Sequence, residues 1–522
     1  MTEGRGVAAR AAADPDAPAV FDGDRVVSYA DLHAQACRLA RALHRLGATP
    51  GERVAVMLPN GTDYLATGVA SAYARLSFIP VNWHLKADEL GWLLADSGAR
   101  VLVADGSLAG YVELALAQAP DCRVLTVGEL AAPVTGSQPL AEVVAGEPAE
   151  LPDGAWPTPN WMFYTSGTTG RPKGVVHGPS DGGQREPDAT TVARGQEGLL
   201  ALWGITAADR YLLAGPGYHA GPGGYAFAAL YAGGAVVVQQ TWDAATWLRL
   251  VDRHRATYSF LTPAHFIRLL ELPPEARQGV DLSSLRLVIH GGAPCPTDVK
   301  RRILDLLPNA EVSELYGASE GGVSRITAAE WRERPGSVGK PWPGVEVRIL
   351  DDTGARLPPG QTGRIFARPA GGARFSYYKD DAKTAAAWHD GAFTVGDIGH
   401  LDEDGYLYIT DRASDMVLWG GVNVYPREIE DVLHGHPAVV DCAVVGVPDE
   451  RYGERLVAVV ELRAPAEERE LQDHVRAHLA DFKVPAQVVP VAAVPRDPNG
   501  KVRKWQLRDQ LARDALSSPA GA

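Results

Sequence analysis

The chain has 522 residues, 46% of them hydrophobic and 22% charged, and a formal net charge of −14. At roughly 150 residues per domain this length predicts several structural units, with a core large enough to need no covalent staples. The acidic balance argues against a nucleic-acid partner or an anionic membrane surface, since both require clustered Lys and Arg.

The four cysteines, Cys37, Cys122, Cys295 and Cys442, form no Cys-x-x-Cys pair. Neither a zinc site nor a disulfide framework is expected, and the pattern suits a reducing cytosol. The N-terminal stretch lacks the apolar core of a secretory signal. No run reaches the ~18 apolar residues that cross a bilayer. These features predict a soluble cytoplasmic protein with no stable membrane insertion; a monomer or homodimer is expected, though no residue pattern specifies the oligomeric state.

In chain order, Tyr29 to Leu46 carries apolar residues at helical spacing (Leu32, Ala36, Leu39, Leu43). A buried strand follows at Arg53 to Leu58, then a helix from Thr62 to Arg75 and a strand from Ser77 to Val81. Val101–Ala104, Val236–Val238 and Leu285–Ile289 are further short apolar runs closed by turn signals. Strands separated by helices predict mostly parallel sheets flanked by helices on both faces. Between about residues 342 and 408 the texture becomes short alternating strands around Asp-Gly turns, a small antiparallel sheet or β-barrel-like subdomain. Beyond Asp415 an α+β pattern follows: a helix from Tyr425, strands at Ala438–Val445 and Leu456–Leu462, a helix from Glu467, a strand near Gln487–Val494 and a last helix. Gly178 to Pro187 is Gly-rich and polar, hence a surface loop.

The most informative segment is Tyr164 to Val175, YTSGTTGRPKGV. Thr165, Ser166, Gly167, Thr168, Thr169 and Gly170 are all small, so backbone N–H groups can close around an anion while hydroxyls add donors. Lys173 adds a positive charge. The glycine spacing differs from a Walker A loop. The same composition also suits a plain surface loop.

This segment resembles the phosphate-binding signature of the adenylate-forming (AMP-binding) superfamily, in the style of acyl-CoA synthetases. Other stretches match in the family's order across nearly the whole chain. Glu314-Leu315-Tyr316-Gly317-Ala318-Ser319-Glu320 is similar to its Tyr-Gly-x-Thr-Glu element, with Ser for the usual Thr. His290-Gly291-Gly292-Ala293 resembles the adenine-contacting loop. Asp397 falls at the ribose-binding position, Ile409 and Arg412 in the next element, Asp415 at the hinge, and Lys501 in the C-terminal catalytic loop. The resemblance implies an AMP-binding domain over 1–414 and a small mobile catalytic domain over 415–522. It implies ATP, Mg²⁺ on Glu320, a carboxylic acid substrate and coenzyme A as acceptor. Lys501, Glu320, Thr165 and Lys173 would be catalytic. His219, Gly292 and Gly317 would line the acid pocket. Glycines 221, 223 and 224 nearby are read either as room for a bulky or long tail or as Gly-rich for turns alone.

Two departures keep alternatives open. Trp419 stands before a Gly-Gly pair where the family has a small or polar residue. A narrowed thiol path would favour an amine acceptor, or an unusual small acid such as nitrous acid; simple packing of the indole is the other reading. Gly317-Ala-Ser-Glu-Gly321 also fits the Gly-x-Ser-x-Gly elbow of a serine hydrolase, with Ser319 as nucleophile.

Overall fold

Helix Tyr29–Arg45 starts at Ser28, whose hydroxyl accepts the Asp31 N–H, and buries Leu32, Ala36, Leu39 and Leu43 on one face. Helix Thr62–Tyr73 is buried at almost every position, as its small and apolar residues allow. The computed structural model describes residues 4–165, 172–178, 188–449, 451–498 and 500–517. The chain divides into two units, 1–260 with 279–287 and 373–386, and 261–278 with 288–372 and 387–522.

In the first unit, strand β1 (Asn160–Thr165) runs parallel to Ser77–Pro80, followed across the sheet by Arg53–Met57, Val101–Asp105 and Arg123–Val127. On its other side β1 pairs antiparallel with β2 (Lys173–Gly178), and β2 with Arg374–Tyr377. A second parallel group joins Pro18–Asp22, Ala235–Val238, Arg210–Leu213 and Tyr258. Both groups read as near-continuous apolar runs because helices cover them. Residues 166–170 and 179–187, predicted as phosphate loop and surface loop, lie outside the described residues.

The second unit starts with helix α1 (Pro263–Leu270), and continues through helix α2 (Thr297–Leu306) into a hairpin of strands β3 (Glu311–Ala318) and β4 (Gly321–Ile326). The antiparallel strands expected after residue 342 extend this hairpin's sheet: Ser337–Pro341 joins β4 to β6 (Leu407–Arg412), which pairs with β5 (Asp397–Leu401) and then Gly363–Arg368. The α+β module follows. Helix α3 (Pro426–His434) has proline in its first turn, where a missing N–H costs nothing. Strands β7 (Val439–Asp449) and β8 (Gly453–Leu462) form a long hairpin, with Gln487–Val491 parallel to β8. Val417, Ile429, Leu433, Val444, Leu456, Leu471 and Val475 fill this module's core.

All four cysteines are buried and unpaired, two in each unit. No helix among the described residues is long and apolar enough to cross a membrane.

Candidate active site

The β3–β4 hairpin closes through the two residues Ser319 and Glu320, with Ala318 and Gly321 as register partners. Its glycines answer to close packing. A Cβ on Gly317 would stand 2.8 Å from the Gly321 carbonyl oxygen, and one on Gly322 would overlap the Trp342 ring at 2.1 Å. The strands therefore approach closely and hold Ser319 and Glu320 at a short tip. A hydrolase elbow needs a strand turning into a helix. Here the serine lies between two antiparallel strands, so the hydrolase reading is overturned.

Asp397 and Arg412 are cross-strand partners on β5 and β6. The Tyr316 hydroxyl donates to Asp397 Oδ2 at 2.7 Å, and Arg412 Nε lies 3.3 Å from Oδ1. Asp397 is 6% exposed, while the Arg412 side chain remains 51% exposed and can meet a ligand. Burial and the Asp397 charge push the Tyr316 phenol far up, keeping it a neutral donor. Burial alone would lower Arg412, but the carboxylates of Asp397, Asp415 and Glu320 outweigh it. Asp411, one residue earlier, faces away and accepts the Arg427 N–H at 3.1 Å, while Arg427 also donates to the Ile409 carbonyl at 2.7 Å.

Lys501 sits in a tight turn. Its N–H donates to Asp497 Oδ1 at 2.9 Å, its carbonyl accepts the Asp497 N–H at 2.8 Å, and Gly500 N–H donates to the Asp497 carbonyl at 2.8 Å. Burial and the Arg412 charge lower the Lys501 pKa, against Asp497, Asp397 and Glu320, which hold it up. The second unit thus places two cations, Lys501 and Arg412, within electrostatic reach of Asp397 and Glu320. That arrangement can neutralise charge growing on a phosphate.

Glu314 faces inward: its carboxylate accepts from fully buried Lys300 at 2.7 Å and lies 3.6 Å from His290 Nε2. Burial drives His290 neutral. Only the Glu314 backbone is left for a nucleotide. A Cβ on Gly291 would stand 2.5 Å from the Leu315 carbonyl, and Gly292 has φ +83°, so this loop demands both glycines.

In the first unit, Thr165 and Lys173 are register partners closing β1 and β2, and the Lys173 ammonium lies 4.7 Å from the Tyr377 ring. His219 precedes helix Ala220–Ala232. The glycines beside it correct one expectation. The Phe260 ring lies 2.7 Å from where a Gly221 Cβ would be, and the Gly217 carbonyl 2.1 Å from that of Gly223. Of the three, only Gly224 faces open space, so packing accounts for the other two. Trp419 stacks on Tyr452 at 4.6 Å and lies 6.0 Å from Phe482, which accounts for the indole by packing within its own module.

Sequence reasoning missed the groups that brace these residues. Arg268 donates to both oxygens of Glu461 at 2.6 and 3.0 Å, and Arg496 forks onto Asp441. For Lys300 a signal existed: it shares the buried face of α2 with Val299, Ile303 and Leu304.

The model of AMP-binding enzymes matches residues 7–377, and that of the AMP-binding enzyme C-terminal domain matches 428–501. The chain belongs to the AMP-binding enzyme family. It is similar to a feruloyl-CoA synthase of Amycolatopsis, 35% identical over 96% of this chain and 97% of the relative. Among solved structures it resembles the amide bond synthetase McbA from Marinactinospora thermotolerans, 29% identical, TM-score 0.82, covering 98% of this chain and all of that one. It also resembles ATP-bound MatB from Rhodopseudomonas palustris, 30% identical, TM-score 0.82, covering 97% and 99%. Like its relatives, this AMP-binding enzyme is a mixed α/β protein with a large N-terminal and a small C-terminal domain, an AMP-forming acid ligase.

Proposed function

We propose that the protein activates a carboxylic acid with ATP as an acyl-adenylate, releasing pyrophosphate, and then transfers the acyl group to coenzyme A. The observation that carries this reading is the convergence of Lys501, Arg412, Asp397 and Glu320 in one unit. In the first step an acid oxygen bonds to the α-phosphorus and the α–β anhydride bond breaks, pyrophosphate leaving with the electron pair. Charge accumulates on phosphate oxygens, so prepositioned cations supply most of the assistance. Lys501 and Arg412 are the proposed cations. Asp397, braced by Tyr316, is the proposed partner of the ribose hydroxyls. The 291–293 and 314–319 backbones with Ile409 are proposed to enclose the base, the Ser319 hydroxyl to donate to the α-phosphate, and the Thr165–Lys173 segment to bind phosphate oxygens.

No group of three or more His, Cys, Asp or Glu suited to a metal occurs among the described residues. A lone carboxylate completed by nucleotide phosphates fits Mg²⁺, which keeps few protein ligands. Glu320 would hold it, and the ion would neutralise phosphate charge. We further propose that 415–522 moves as a body about Asp415 between the two steps, in a cytoplasmic biosynthetic enzyme. The likeness to an amide bond synthetase favours a second reading, in which an amine takes the acyl group.

ATP–pyrophosphate exchange over ferulate, indole-3-acetate, 2-succinylbenzoate and decanoate identifies the acid class. Lys501→Ala is expected to lower exchange by about 100-fold or more while ATP binding persists; unchanged exchange would remove Lys501 from its role. Thioester formation saturating with coenzyme A supports the first reading. Amide formation from a supplied amine without any thioester sinks it in favour of the second.

A further inference from the structure

We propose that Arg496 is a positioning residue that aims Lys501 by tying the lysine's turn to the buried carboxylate of Asp441. This rests on the role of Lys501 proposed above. The Arg496 guanidinium uses three arms. Nε donates to Asp441 Oδ2 at 2.7 Å and Nη2 to Oδ1 at 2.6 Å, a forked pair, while Nη1 donates to the Gly500 carbonyl at 2.7 Å. Gly500 is the residue immediately before Lys501.

The anchor is rigid. Asp441 is 1% exposed on strand β7, faces Glu461 in the β7–β8 register, and its Oδ1 also accepts the Cys442 N–H at 2.9 Å. His434 Nε2 stands 3.7 Å from the same oxygen. The turn is also confined from a second side. Gly500 has φ +81°, and a Cβ there would lie 2.6 Å from Ala264 Cβ and 2.9 Å from Thr262 Oγ1 at the start of α1. One face of the turn is therefore pressed on the α1 start, and its carbonyl is gripped by Arg496. Glu461 adds a further tie, accepting the Val494 N–H at 3.2 Å while bound to Arg268.

Pairing with Asp441 occupies two of the three guanidinium arms. The third reaches the peptide that carries Lys501 and has no part in neutralising the carboxylate. A lysine at 496 could balance Asp441, but a single ammonium cannot also span to the carbonyl, because only guanidinium presents donors in a fixed fork. Charge balance and aim can thus be separated by one substitution.

The test uses full-length Arg496→Lys and Arg496→Met beside Lys501→Ala, with whichever acid of the panel above exchanges fastest. Three quantities are read: kcat and KM for ATP in pyrophosphate exchange, acyl transfer from the chemically synthesised acyl-adenylate of that acid, and thermal melting. For Arg496→Lys the expected result is a melting point within a few degrees of the parent and an exchange kcat about 100-fold lower, the scale of a misplaced catalytic group. KM for ATP should stay within about twofold, and transfer from the supplied adenylate should be unchanged. Three outcomes overturn the proposal: exchange within about threefold of the parent, transfer falling in parallel with exchange, or an Arg496→Lys protein that does not fold. If Lys501→Ala itself retains exchange, the role of Lys501 fails and this inference falls with it. Inactive Lys501→Ala beside active Arg496→Lys sinks the inference alone.

Discussion

Asp431 lies on α3 among Arg427, Glu430, Glu314 and Asp411, and burial raises its pKa from 3.8 to about 6, the Arg427 charge only partly opposing. Between those values the folded protein holds a proton that the unfolded chain has released. This group's stabilising share is therefore complete below the ordinary carboxylate range and disappears as pH rises through about 6. Asp431→Asn should accordingly raise the urea midpoint at about pH 8, with the advantage over the parent shrinking toward about pH 4. A gap that widens on acidification would contradict the sign. At this scale the sequence was legible where chemistry sits in adjacent residues. Tyr316, Ser319 and Glu320 share one hairpin, and the Lys501 turn is a single ten-residue stretch, PRDPNGKVRK. It was silent where a residue owes its role to a distant partner. Arg496 and Asp441 are 55 residues apart and Arg268 and Glu461 193 apart, and only tertiary packing brings them together.

Among the elements, strand Val417–Trp419 shows why local pattern left two readings of Trp419. A bulky residue before Gly420 and Gly421 breaks the family habit, and nothing nearby says where its ring goes. The ring lies on Tyr452 and near Phe482, both brought in by chain that follows it. Trp419→Ala should then cost roughly 2–3 kcal/mol, less than a fully buried tryptophan because the indole is only partly covered. Urea unfolding measures this, and KM for the acyl acceptor should be unaffected. A normal midpoint with altered acceptor KM would return Trp419 to the acceptor path. The β3–β4 hairpin carries the same lesson. Gly-Ala-Ser-Glu-Gly permits an elbow, a helix start or a hairpin, and what selects the hairpin is the closeness of Gly322 to Trp342, twenty positions further along. The helices and parallel strands of the first unit were easier, because their apolar spacing repeats over whole elements. Tyr29–Arg45, Arg53–Met57 and Thr62–Tyr73 begin where the pattern predicts and end within about two residues of it.

Over the whole molecule, the order of motifs identified the ligase, while the division into two units followed contacts that no single stretch reveals. Its four sealed thiols have a use of their own. Burial raises Cys37 to about 11 and Cys122 to about 12, and pushes Cys295 and Cys442 higher still, so none is a thiolate near neutrality. Alkylating reagents should leave the native protein untouched and mark each thiol only when its surroundings open. Cys37 and Cys122 then report on one half, Cys295 and Cys442 on the other. Mass spectrometry of iodoacetamide-treated samples across a urea series should show whether the halves come apart together or in turn, a native stopwatch that needs no introduced label.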